Sequence, residues 1–89
     1  MRAVITVVGK DKRGIIAKIS GLLYETNINI LDISQTIMQD MFTMVTLVDI
    51  SASSISFDQL VDKLDEIGNT VGVKIHIQHE DIFNSMHKI

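Results

Sequence analysis

The apolar residues of this chain change period in a fixed order, which leaves few folds open to it: a spacing of two, then of about 3.6, then two, two, 3.6 and two again. Val4 to Val8 is β-branched throughout, and the stretch from Arg2 is apolar on both faces, as in a central strand. Gly9 closes it. Ile15, Ile16, Ile19, Leu22 and Leu23 then recur at helical spacing, and Asn27 is placed to end that helix in the left-handed conformation. Ile28 to Met38 reads as a long strand whose apolar phase slips between Ile30 and Leu31, the mark of a bulge. Gln39, Asp40 and Met41 break the pattern before Phe42, Met44, Thr46, Val48 and Ile50 resume it, which predicts an antiparallel hairpin. After the serine-rich connector Ser51 to Ser56, the pair Ser56 and Gln59 has capping-box spacing. Phe57, Leu60, Val61, Leu64, Ile67 and Val71 continue a helical stripe as far as Gly72. Val73, Ile75 and Ile77 alternate with Lys74, His76 and Gln78 as a half-buried strand. Ile82, Phe83, Met86 and Ile89 give the tail a short amphipathic pattern.

The order β-α-β-β-α-β, with right-handed crossovers, predicts an α+β fold. It is the ferredoxin-like sandwich, a four-stranded antiparallel sheet with two helices on one face, here followed by a short C-terminal helical tail. The boundaries are 1–79 for the domain and 80–89 for the tail. Two helices leave the other sheet face uncovered within one chain, so a second copy is expected on that face or on a sheet edge.

Composition points the same way. A chain of 89 residues buries only about 60 to 65% of its unfolded surface, so its core is thin. Yet hydrophobic residues make up 46% and mean hydropathy is +0.29, with no apolar run approaching the ~20 residues of a membrane span. The excess predicts a homo-oligomer. A net charge of −3 argues against nucleic-acid and membrane partners, and the absence of cysteine removes disulfides, thiolate metal sites and cysteine nucleophiles. No leader pattern precedes the first strand, which predicts a cytoplasmic protein.

Function has to be read from residues rather than from the fold. Base stacking by an RNA-recognition module needs strand aromatics, and Phe42 is the one aromatic in any predicted strand. A metal chaperone of this topology needs Cys-x-x-Cys. An acyl-phosphate hydrolase of this topology needs a loop arginine, which Arg13 could supply, and a central-strand asparagine, which is missing. His76 and His79 would face opposite sides of one strand, so no metal site and no cofactor is expected. Asp58, Asp62, Asp65 and Glu66 read as the solvated face of the second helix, and Met38, Met41 and Met44 as core or interface filler.

The remaining feature is the loop Gly9-Lys10-Asp11-Lys12-Arg13-Gly14-Ile15, where strand period gives way to helix period. A helix start offers unpaired N–H groups and partial positive charge, which suits an anionic ligand group. The plain alternative is a solvated turn in which Asp11 caps the helix and Gly14 lets it pack close to the sheet. Asp11-Lys12-Arg13-Gly14-Ile15, with Asn27-Ile28-Asn29-Ile30 at the matching distance, resembles the signature of ACT domains. In that family Asp-Arg-Pro-Gly or Asn-Arg-Pro-Gly follows the first strand, and Gly-Val-Asn-Ile opens the second. The resemblance spans Arg2 to Ile77, with Arg13 in place of the usual proline. More narrowly, the chain is similar to stand-alone ACT proteins of bacteria and archaea, with Glu80 to His87 as a further likeness. It is also similar to the ACT units of the glycine-cleavage repressor and of formyltetrahydrofolate deformylase, whose catalytic domain has no counterpart here.

The resemblance implies a non-enzymatic regulatory domain that binds an amino acid or similar metabolite between the subunits of a dimer and signals through a regulated protein partner. The implied ligand residues are Asp11, Lys12, Arg13, Gly14, Ile15 and Asn29, with side chains of Asp11 and Asn29 and backbone N–H groups of Gly14 and Ile15 making the hydrogen bonds. The alternative is a protein-interaction or dimerisation module with no small-molecule ligand.

Overall fold

The computed structural model describes residues 1–10 and 14–86. Its elements are β1 (Arg2–Gly9), α1 (Ile15–Glu25), β2 (Asn29–Met38), β3 (Met41–Asp49), α2 (Phe57–Val71), β4 (Lys74–His79) and α3 (Glu80–Met86). The strands form one antiparallel sheet in the order β2-β3-β1-β4, the ferredoxin-like arrangement that the periodicity predicts.

β1 is the centre of the molecule. Ala3, Ile5 and Val7 point toward the helices and are fully buried, in register with Val48, Thr46 and Met44 of β3 on one side. Ile77 and Ile75 of β4 stand opposite Ile5 and Val7 on the other. Ile15, Ile19 and Leu23 of α1 and Leu60 and Leu64 of α2 close this layer from above.

Local chemistry fixes the ends of each element. Ser56 Oγ accepts from the Gln59 N–H at 3.1 Å and Gln59 Oε1 accepts from the Ser56 N–H at 3.0 Å, completing the capping box that starts α2. Asn27 takes φ 61 just beyond α1, and its side-chain amide donates to the Ala52 carbonyl at 3.1 Å. In β2 the register steps from Ile30 opposite Val48 to Asp32 opposite Leu47, so Leu31 is the extra residue of the expected bulge. The hairpin turn needs only Gln39, at φ 56, and Asp40, so Met41 belongs to β3 rather than to the break.

One expectation is corrected. The sheet face opposite α1 and α2 is not wholly open, because α3 folds against β1 and β4. Arg2 Nε donates to Glu80 Oε1 at 3.1 Å, and Val4, on the same face as Arg2, is only 4% exposed although it lies outside the main core. A helix of 7 residues is unstable alone, and this docking supplies what its own backbone cannot.

Thr46 is the flaw in the core. It is 1% exposed, and its hydroxyl has no hydrogen-bond partner among the described residues. Burying an unpaired hydroxyl costs about 1 to 3 kcal/mol, so Thr46→Val is expected to raise unfolding stability by about 1 kcal/mol in urea titration. A decrease would mean that the hydroxyl has a partner in solution.

Candidate functional site

Among the described residues, α1 starts without a side-chain cap at its cap position. The cap position falls on Gly14, in the left-handed region at φ 73, and no side chain there accepts a hydrogen bond from the first turn. The Gly14 carbonyl takes the Lys18 N–H at 2.9 Å and begins the helix. Ile15 buries its side chain completely and so anchors that first turn in the core. Backbone N–H groups at such a start have no partner within the helix, and the first turn holds no acidic residue to offset their partial charge. Asp11, Lys12 and Arg13 lie outside the described residues. Gly14, rather than Asp11, occupies the cap.

The close-packing role expected of Gly14 is not found. Among the described residues a Cβ built there meets nothing within 4 Å, and what the structure asks of the residue is its positive φ. Close approach occurs instead at Gly9, where a Cβ would collide with Cγ1 and Cβ of Val73. Beside it a hollow of about 610 Å³ is lined by residues that include Gly9, Lys10, Met41, Gly72 and Lys74. Lys10 also lies 3.9 Å from Asp40 of the hairpin turn, an exposed pair of little energetic weight.

Asn29 is exposed at the far end of the molecule. It opens β2 opposite Asp49, which in turn faces Arg2 at the start of β1, whereas Gly9 faces Phe42 at the other end of the sheet. Thr26 Oγ1 donates to the Leu22 carbonyl at 2.7 Å and the Ile28 N–H to that of Leu23 at 2.9 Å, which secures the chain just before Asn29. The 11 residues of α1, about 16 Å long, separate Gly14 and Ile15 from Asn29. One chain does not bring them together.

Other candidates resolve simply. His76 is exposed on one sheet face, while His79 on the other stacks on Phe57 with ring centroids 4.3 Å apart. Among the described residues no three His, Asp or Glu side chains converge as a metal site would require. The α2 acids Asp58, Asp62, Asp65 and Glu66 are all exposed, as the helical pattern predicts. Ser51 donates its N–H to Asp49 Oδ1 at 2.9 Å and holds that carboxyl below the usual carboxylate range. Met44 belongs to the core, but Met38 and Met41 stand exposed at the hairpin tip. Sequence reasoning missed how bare β2 is, since Ile33 and Ile37 face the helix side and still remain exposed. The available signal was the run Asp32, Ser34, Gln35 and Thr36, too polar for a strand covered on both faces.

The ferredoxin-like sandwich is the fold of a class of regulatory, small-ligand-binding domains. The sequence profile of the ACT domain matches residues 2–78, and the chain belongs to that family. It is 60% identical to a UPF0237 protein of Clostridium acetobutylicum over 89 residues, covering 100% of both chains. Among solved structures it is similar to an ACT domain protein from Streptococcus pneumoniae at 47% identity and TM-score 0.80, covering 93% of each chain. A formyltetrahydrofolate deformylase from Pseudomonas syringae is similar in fold, at 21% identity and TM-score 0.78, over 88% of this chain and 27% of that one. No helix among the described residues is long and apolar enough to cross a membrane.

Because no described residue lies within 4 Å of a Cβ at Gly14, its substitution reports backbone strain. Gly14→Ala is expected to lose about 1 kcal/mol in chemical denaturation, and Gly14→Asn distinctly less, since asparagine tolerates the left-handed region. Equal losses would assign the cost to something other than φ.

Proposed function

We propose that this chain is a regulatory sensor that binds an amino acid or a similar small metabolite in a site completed by a second copy of itself. The observation that carries the reading is the separation of Gly14 and Ile15 from Asn29 by the length of α1. Two halves of one family motif at opposite ends of a chain make a site only when another chain brings its own opposite end alongside. The chemistry is complementary to an amino acid: helix-start N–H groups suit a carboxylate, and the Asp11 carboxylate suits an ammonium, with Lys12 and Arg13 beside it to balance charge. Asn29 of the second subunit would add a side-chain amide. The output passes to a regulated protein, and no reaction chemistry is assigned to any of these residues.

Purified protein screened against the proteinogenic amino acids in a thermal-shift assay should respond to one of them selectively and saturably. Ligand at 100 times its Kd adds about 2.7 kcal/mol, a rise of roughly 10 °C or more for a domain this small. Asp11→Ala and Asn29→Ala should each abolish the response. Co-refolded in equal amounts, the two variants should recover about a quarter of the sites, because half of the dimers are mixed and each of those holds one intact site. No recovery would place the site within one chain. A flat panel would leave the protein an interaction module without a small-molecule ligand.

A further inference from the structure

The sheet has two edges, β2 and β4, and they differ in charge. The one charged residue of β2 is Asp32, whereas β4 carries Lys74 with His76 two positions on. Within the sheet β4 lies beside β1 alone, so every second residue along it turns its N–H and C=O away from β1, where no described strand meets them. Its side chains alternate. Lys74 and His76, opposite Val8 and Thr6, are exposed on the face away from α1 and α2, and neither makes an ion pair among the described residues. Ile75 and Ile77 lie on the other face, with Ile77 buried in the core and Ile75 packed against it.

The positive charge of this edge extends beyond Lys74. The hollow at that end is lined by both Lys10 and Lys74, and among the described residues no carboxylate lines it. Lys10 has only its exposed contact with Asp40. At the other end of β4 the Glu80 carboxylate is already taken by Arg2.

We infer that β4 is a docking edge for an extended acidic segment of the regulated protein. The segment adds a fifth strand, with carboxylates beside Lys74 and His76 and small apolar side chains beside Ile75 and Ile77. Backbone pairing attracts any extended chain, and side chains opposite one another, about 5 Å apart between Cβ atoms, make the choice among them. A carboxylate opposite Lys74 gains a charge-assisted contact, and one at the end of the segment enters the hollow between Lys10 and Lys74. The 6 residues of β4 match about 20 Å of extended chain. A second copy of this edge is a poor occupant, because antiparallel self-pairing gathers Lys74 and His76 of both chains on one face. A lysine on an edge guards against such like pairing, and the same charge admits an acidic strand. Asp32 gives β2 the opposite preference.

The inference deepens the proposed function by naming the chemistry of the regulated partner. It rests on that reading for its role, but its test needs no metabolite.

The probe is an eight-residue peptide alternating glutamate with valine, blocked at both ends and titrated into the isotopically labelled full chain, with amide chemical shifts as the readout. Shifts should concentrate at Lys74–His79 and Lys10, and the same peptide with lysine in place of glutamate should bind at least tenfold more weakly. Lys74→Glu, at an exposed position, should keep the fold by circular dichroism and reverse the preference in favour of the lysine peptide. Equal affinity for the two peptides, an unchanged preference in Lys74→Glu, or shifts gathered on β2 or on the helices would overturn the docking edge. So would the absence of any shift at millimolar peptide. Selective peptide binding beside a flat amino-acid panel would count against the sensor reading and leave β4 a docking edge.

Discussion

Burial of Ala3, Ile5 and Val7 between β3, β4 and the helices is the interaction on which the other elements rest. Each helix contributes one inward stripe, Ile15, Ile19 and Leu23 or Leu60 and Leu64, and these stripes meet over β1 and β3. A small domain has one core to spend its apolar side chains on, and here it lies toward β1 rather than toward β2. The bareness of β2 follows from that placement.

The order of elements was legible because apolar periodicity reports which side of each element is buried, and burial dominates the folding of a chain this short. End signals of a purely local kind were legible too: Ser56 with Gln59, Asn27 beyond α1, and the doubled apolar phase at Leu31 all depend on residues within a turn of one another. What escaped sequence reasoning depends on width and reach. Whether α1 extends over Ile33 and Ile37 is settled by the spacing of two layers, which no local pattern records. The seat of α3 brings Glu80 to Arg2 from 78 positions away, a meeting no local pattern records. Gly14 shows a subtler miss: its necessity was legible, but the reason is a positive φ and not close packing.

The candidate site was legible as a motif and not as a geometry. Asp11 through Ile15 and Asn29 stood out by type and spacing as a family motif, and the family itself is matched across residues 2–78. Spacing in sequence cannot tell whether two motif halves meet within a chain or between chains. The run of α1 from one end of the sheet to the other answers the first half of that question, because it carries the halves apart.

That separation bears on how such a sensor would read its surroundings. When two chains share one site, ligand and subunit compete for nothing and assist each other: occupancy tightens the pair, and dilution of the protein weakens apparent affinity for the metabolite. The abundance of the protein itself then becomes a second input. A cell that changed expression of this small chain would shift the metabolite level at which it responds, with no residue of the site altered.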